Sequence, residues 1–155
     1  VAKSLGMGLY KAAMEILNYY GIDCRGRNAV IIGRSLVVGR PAAMLLLHQH
    51  ATPTICHTKT ERMPEIARGA DIVIVCAGKM EAIGREYFRE GQTVIDVGIG
   101  WNVAKGKLCG DVDFDAVEPL VEAITPVPGG VGAVTTSVLV SHVAEAAARA
   151  LRKEN

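Results

Sequence analysis

The chain has 155 residues, a common size for one domain, and half of them are hydrophobic against 21% charged, which excludes a disordered segment. Seventeen basic residues against sixteen acidic leave a formal net charge of +1, so there is no electrostatic footprint for nucleic acid and no polybasic patch for a membrane surface. No apolar run reaches the ~18 residues needed to span a bilayer, and the opening "VAKSLGMGLY" lacks the uninterrupted apolar core of a signal peptide.

In chain order, Leu9 to Tyr20 places Leu9, Ala13, Ile16, Leu17 and Tyr20 at helical spacing, with Gly21 as a stop. Ala29 to Ile32 is a short continuous apolar run, as a fully buried parallel strand would read. Pro41 to His50 is helical and apolar. Thr52 to His57 reads as a second strand, in which Pro53 must sit near the beginning or lack a ladder partner. "ERMPEIARGA" predicts a short helix ending at Gly69, and Asp71 to Gly78, "DIVIVCAG", is the clearest strand. "REYFREG" predicts a brief helix and "QTVIDVGIG" a fourth buried strand. The polar, glycine-punctuated stretch from Gly100 to Val117 has the character of a hairpin. "AITPVPGGVGAVTT" supplies a short strand and a glycine loop, and a helix from about Val134 to Arg152 closes the chain.

Strands and helices alternate and the strands are almost wholly apolar, which predicts a doubly wound α/β domain, a mostly parallel Rossmann-like sheet with helices on both faces. Ligands in such sheets sit at the carboxyl ends of the strands. Gly33, Gly78, Gly98 and Gly129-Gly130 fall there. Cys24, Cys56, Cys76 and Cys109 contain no C-x-x-C, and Cys56 and Cys76 lie in strand-like runs. Buried free thiols in a reducing cytoplasm are therefore expected in preference to two disulfides.

The first strand ends in "GRSLVVG", Gly33 to Gly39, which is not G-x-G-x-x-G. Gly33 can make the tight exit from the strand, Gly39 permits close helix–strand packing, and Pro41 suits a first helical turn. The Ser35 hydroxyl can donate to a phosphate or cap the helix. A pyrophosphate loop and a plain strand-to-helix turn both fit these residues. The second strand then discriminates. An NAD site places an Asp or Glu about 20 residues past the loop; here that position reads Cys56-His57-Thr58-Lys59, with no carboxylate until Glu61. Thr58 offers a hydroxyl, and Arg34 and Lys59 offer cations, with Arg34 able to bind a phosphate bidentately. NADP is expected in preference to NAD.

His57 has no nucleophile pattern around it and reads as a hydrogen-bonded structural residue. His48, His50 and His142, on predicted helices, form no metal-like cluster, so no metal is assigned. Asp111, Asp113 and Asp115 lack calcium-loop spacing and read as a solvated turn.

Six ordered motifs, "VIIGRSLVVGRPAAMLLL", "TICHTKT", "ADIVIVCAGK", "VIDVGI", "GDVDF" and "ITPVPGGVGAVTTSVL", resemble the bifunctional methylenetetrahydrofolate dehydrogenase/methenyltetrahydrofolate cyclohydrolase family from about Ala13 to Ala147. "TPVPGGVG", Thr125 to Gly132, is the most distinctive. The resemblance implies that residues 1–155 form that family's C-terminal NAD(P)-binding domain. It implies that Gly33, Arg34 and Ser35 form the pyrophosphate loop, with Arg34 and Thr58 near the 2′-phosphate. Ala77, Gly78 and Lys79 then line the cofactor cleft, Ile99 lies beside the nicotinamide, and Pro128, Gly129, Gly130, Val131, Gly132 and Thr135 face the folate. Ala133-Val134-Thr135 stands where the family usually reads Pro-Met-Thr, and Thr58 where it commonly has Ser.

The family's catalytic lysine, in a Y-x-x-x-K setting, and its folate-binding aspartate lie in an N-terminal domain that these residues do not include. Neither Lys11 nor Lys3 takes that role. The expectation is an excised domain or a shortened relative that shares a folate with the N-terminal domain, pairs as a homodimer, binds NADP and does not turn over alone. A stand-alone nucleotide-binding or sensing module is the alternative; a methyltransferase using the glycine loop for adenosylmethionine gives no reason for "PVPGGVG".

Overall fold

The computed structural model describes the backbone of residues 2–153 and the side chains of residues 8–141, 143 and 144. Five parallel strands form the main sheet: β1 (Asn28–Ile32), β2 (Thr52–Cys56), β3 (Ile72–Val75), β4 (Thr93–Asp96) and β7 (Ala123–Ile124), in the order β2-β1-β3-β4-β7. A two-stranded antiparallel ribbon of β5 (Gly100–Asn102) and β6 (Lys107–Cys109) stands apart from it. The helices are α1 (Ala2–Tyr19), α2 (Gly39–His48), α3 (Met63–Arg68), α4 (Phe114–Val117) and α5 (Val131–Lys153), with a 3-10 turn at Arg85–Tyr87.

Alternation along the strands assigns the two faces. Ala29, Ile31, Ile72, Ile74 and Ile95 meet the apolar sides of α1, α2 and α5, including Ala13, Leu17, Leu46 and Val138. Val30, Ile32, Val73, Val75 and Val94 meet Ala67, Phe88 and Val117 on the opposite face. β3 is buried at all four positions because it is central and covered on both sides. Each buried Val, Leu, Ile or Phe among these contributes about 1.5–3 kcal/mol by leaving water.

β2 is an edge strand, buried only at Cys56. The Thr52 N–H donates to the Arg27 carbonyl and the Cys56 carbonyl accepts from Gly33 N–H, so alternate residues Thr52, Thr54 and Cys56 bond toward β1. Pro53 therefore turns its missing donor outward, which satisfies the condition set by the sequence.

Several boundaries differ from expectation. α1 begins at Ala2 and not Leu9, running through Gly6 and Gly8. Tertiary packing overrides the glycine penalty of about 1 kcal/mol: a Cβ on Gly8 would stand 2.7 Å from Thr135 Cγ2, so the glycine lets α1 lie close against α5. α2 ends at His48, and His50, expected in the helix, has φ 65° in the following turn. "REYFREG" yields only three residues of 3-10 helix, with Gly91 at φ 76° beyond it. α5 begins at Val131, so Val131 and Gly132 belong to its first turn and not to the preceding loop. The four cysteines are free thiols, with Cys24, Cys56 and Cys109 buried. Among the described residues no helix is long and apolar enough to cross a membrane.

Candidate functional site at the strand carboxyl ends

β1 leads through α2 to β2 on one side, while β3 lies on the other, so the winding reverses between β1 and β3 and a crevice opens beyond their carboxyl ends. Register fixes which loops border it. Ile32 pairs with both Cys56 and Val75, and Val75 with Asp96. The segments starting at His57, Gly33, Cys76 and Val97 thus emerge side by side in that order.

The first loop is closed by its two glycines. Gly33 has φ 134°, and a Cβ there would stand 2.7 Å from Cys76 Sγ and closer to the Cys76 carbonyl oxygen. A Cβ on Gly39 would stand 2.7 Å from the Gly33 carbonyl carbon. Ser35 Oγ accepts from the N–H groups of Val38 (3.0 Å) and Gly39 (3.4 Å), and the Ser35 carbonyl accepts from Arg40 N–H at 3.1 Å. Ser35 therefore caps α2 from four residues before its first residue, Gly39, and its own hydroxyl proton is left to donate outward. Arg34 and Ser35 are exposed, and Arg40 Nε donates to the Arg34 carbonyl at 3.2 Å.

At the end of β2, His57 N–H donates to Thr60 Oγ1 (2.9 Å), and His57 Nδ1 accepts from Lys59 N–H (3.2 Å). An accepting Nδ1 leaves the neutral ring proton on Nε2, and the histidine shapes the turn that holds Thr58 and Lys59 exposed at its tip. After β3, Ala77, Gly78 and Lys79 are exposed, with Gly78 at φ 71°.

The end of β4 contains what the sequence reading missed. Asp96 is 3% exposed and its carboxylate accepts from the N–H groups of Gly98 (2.9 Å), Asp111 (3.2 Å) and Val112 (2.9 Å). Burial pushes its carboxyl up to about 6 against the pull of those three hydrogen bonds. Asp111, expected in a solvated turn, is 2% exposed and accepts the Gly78 N–H on Oδ2 at 2.7 Å. Two glycines permit this packing, one distant in sequence and one adjacent: a Cβ on Gly98 would stand 2.7 Å from the Asp111 nitrogen, and one on Gly110 2.7 Å from Asp96 Cγ. Asp115 is exposed as a solvated residue should be. Ile99 is 59% exposed just beyond Gly98.

The last loop follows β7. Thr125 Oγ1 accepts from Asp96 N–H at 2.8 Å, tying the loop's root to β4. The Val127–Pro128 peptide is cis and Gly129 has φ 98°. Pro128, Gly129 and Gly132 are exposed, while Gly130 and Val131 are buried. Thr135 is buried too; its hydroxyl donates to the Val131 carbonyl at 2.8 Å and its methyl faces Gly8. It thus stands in the α1–α5 contact behind the loop. A cleft of about 1220 Å³ backs onto the same loop through Pro126, Gly129 and Gly130, between α1, α5 and the β4–β7 edge, and Gly33, Thr58 and Gly78 do not line it. Lys11 borders that cleft, away from the β1/β3 crevice; the Lys3 side chain lies outside the described residues. Among the described residues no group of three His, Cys, Asp or Glu is arranged to hold a metal ion.

Residues 10–151 match the family model for the tetrahydrofolate dehydrogenase/cyclohydrolase, NAD(P)-binding domain. The chain belongs to this family. The bifunctional protein FolD of Carboxydothermus hydrogenoformans is 54% identical over 136 residues, 87% of this chain and 47% of that protein. The chain thus spans about half the length of the curated relatives it matches. The bifunctional enzyme FolD structure from Campylobacter jejuni superposes with a TM-score of 0.87 at 40% identity, covering 94% of this chain and 54% of that one. The Trypanosoma brucei enzyme, complexed with NADP cofactor and inhibitor, superposes at 0.86 with 36% identity over 94% of this chain and 51% of its own. A dipicolinate synthase structure from Bacillus halodurans, at 15% identity and TM-score 0.63, shares the fold alone. For the tetrahydrofolate dehydrogenase/cyclohydrolase NAD(P)-binding family, the strand-end loops described above are therefore the natural candidate site.

Proposed function

We propose that this chain is the cofactor-binding half of an NADP-dependent 5,10-methylenetetrahydrofolate dehydrogenase with methenyltetrahydrofolate cyclohydrolase activity in one-carbon metabolism. The observation that carries the reading is the pair of loops at Gly33–Gly39 and His57–Lys59. The first is closed by its two glycines against the chain's own backbone, and it presents exposed Arg34 and Ser35 just before the start of α2, a setting that suits a pyrophosphate. The second presents Thr58 and Lys59 beside Arg34 with no carboxylate to repel a 2′-phosphate.

On this reading Gly33, Arg34, Ser35 and Gly39 hold the pyrophosphate, and Arg34, Thr58 and Lys59 the 2′-phosphate. Ala77, Gly78 and Lys79 line the cleft, and Ile99 lies beside the nicotinamide. Pro128, Gly129, Gly130, Val131 and Gly132 face the folate, with Thr135 supporting them from behind. The bound nicotinamide accepts a hydride from the methylene carbon of the folate. The residues here position cofactor and folate edge, whereas the lysine that assists ring opening belongs to a further domain, so the 155-residue chain binds NADP without turnover. A homodimer in the cytoplasm is the working assembly, for which the exposed Val140 and Val143 on α5 offer apolar surface.

Calorimetric titration of NADP and NAD against the wild-type chain and Arg34→Ala tests this. NADP should bind more tightly than NAD, and Arg34→Ala should remove most of the difference. Equal affinities of the wild type for the two would reject the 2′-phosphate assignment, and steady turnover of methylenetetrahydrofolate by this chain would reject its inactivity.

A further inference from the structure

The loop between β3 and the 3-10 turn is held in place by residues from outside the five-stranded sheet. Gly78 N–H donates to Asp111 Oδ2 at 2.7 Å. Glu81 N–H donates to the Gly110 carbonyl at 3.0 Å, Ile83 N–H to the Asp111 carbonyl at 3.1 Å, and Asp113 N–H back to the Ile83 carbonyl at 3.0 Å. The Glu81 carboxylate accepts from Asn102 Nδ2 at 2.9 Å and from Lys105 Nζ. Both ends of this stretch carry residues in the left-handed region, Gly78 at φ 71° and Glu81 at φ 50°. A non-glycine residue such as Glu81 keeps that backbone only when its surroundings over-determine it, whereas Gly78 adopts it freely.

Among these contacts the one at Gly78 differs in kind. The others brace the loop's far side, at positions 81 and 83, through the β5–β6 ribbon and the turn after it. The Asp111 carboxylate alone reaches the residue that forms the lip of the crevice. It is itself immobilised, with its own N–H on Asp96 Oδ1 at 3.2 Å and the Cα of Gly98 pressed against it. A buried carboxylate accepting a backbone N–H is a strong, directional bond. Glycine at position 78 would otherwise have wide conformational freedom, and a ligand would have to order Ala77–Lys79 when it binds.

We propose that Asp111 is a positioning residue for the cofactor cleft: by holding the Gly78 amide it fixes the height of Ala77–Lys79 over the β1/β3 crevice. The inference rests on reading that crevice as a dinucleotide site. Asp111 touches no ligand on this account; it acts through Gly78. Asp96 stands one step further back, holding Asp111 in turn.

The test compares wild type, Asp111→Ala and Asp111→Asn at a temperature where thermal melts show each to be folded. NADP affinity is measured by calorimetry, and the Gly78 amide by hydrogen exchange in ¹⁵N-resolved NMR. If releasing the amide leaves the productive loop about a tenth populated, the apparent Kd of Asp111→Ala rises about tenfold. Asp111→Asn, whose side-chain carbonyl still accepts, should stay within about threefold, with Gly78 protected. A folded Asp111→Ala binding like wild type, or equal losses in the Ala and Asn variants, would overturn the proposal. So would a fast-exchanging Gly78 amide in the wild type, an outcome that needs no variant to fold. Failure of the wild type to bind NADP rejects the dinucleotide reading instead, and Gly78 exchange then still decides whether Asp111 holds the loop.

Discussion

Gly33 and Gly39 sit face to face: a Cβ on Gly39 would stand 2.7 Å from the carbonyl carbon of Gly33 and closer still to its oxygen. The loop between them is thus closed by backbone against backbone, and neither partner can yield by rotating a side chain. Gly39→Ala should cost about 3 kcal/mol through overpacking, a fall in Tm of about 6–12 °C for a domain of this size. Gly132→Ala is the internal comparison. It lies in the first turn of α5 with nothing within 4 Å of its added Cβ, so it should be neutral or stabilising by up to about 1 kcal/mol. Equal destabilisation by the two in a calorimetric scan would show that the closure is looser than described.

Ser35 does for α2 what a conventional cap does from the residue immediately before a helix. Its oxygen accepts the Val38 and Gly39 N–H groups. Ser35→Ala should lower stability by about 1 kcal/mol in urea unfolding and also weaken NADP binding, since one hydroxyl serves both ends. A variant that loses affinity at unchanged stability would mean that the cap contributes nothing.

Asp96 gives the fold a pH dependence of definite sign. Its folded carboxyl titrates at about 6, above the ordinary 3.8, because burial outweighs three backbone donors. The folded state then holds a proton that the unfolded chain has released, so this group's contribution is complete below pH 3.8 and falls away as pH rises through 6. The loss is about 3 kcal/mol as an order of magnitude. Carboxyl ¹³C NMR of the native chain should show Asp96 titrating near 6; a midpoint below about 4, the ordinary aspartate value, would mean that the three N–H donors win.

The Cys24, Cys56 and Cys76 thiols should be sluggish nucleophiles. Burial, with Asp111 and Asp96 nearby, pushes the Cys76 thiol up to about 12, and burial also raises Cys24 and Cys56. At about pH 8 Cys76 stays a neutral thiol. Its alkylation by iodoacetamide, followed by mass spectrometry, should be at least about tenfold slower than in urea-unfolded chain. Rapid modification of the native protein would contradict the packing around Gly33 and Cys76.

What the sequence made legible follows from locality. Val30, Ile31, Val73 and Ile74 announce central strands because burial on both faces demands apolar residues at every position, and the demand is visible in consecutive letters. Pro53 likewise carries its edge position with it. Asp111 does not: its burial is produced by the bare Cα of Gly98 and by Asp96, fifteen residues upstream, and the role of the adjacent Gly110 shows only once Asp96 is packed against it. The start of α1 was hidden for a related reason, since Gly6 and Gly8 argue locally against a helix that the surface of α5 imposes. The motifs "GRS" and "PVPGGVG" carry a different kind of information from periodicity, since they record a backbone shape and not a burial pattern.

Pro53 has one further consequence. Along β2 the groups that point away from the sheet belong to Pro53 and Ile55, and the first of these has no hydrogen to give. A strand arriving from another molecule would find the ladder interrupted at the second of the five residues of β2. The outward row of that edge thus keeps one N–H donor, on Ile55, where it would otherwise have two, which weakens its pairing with any incoming strand.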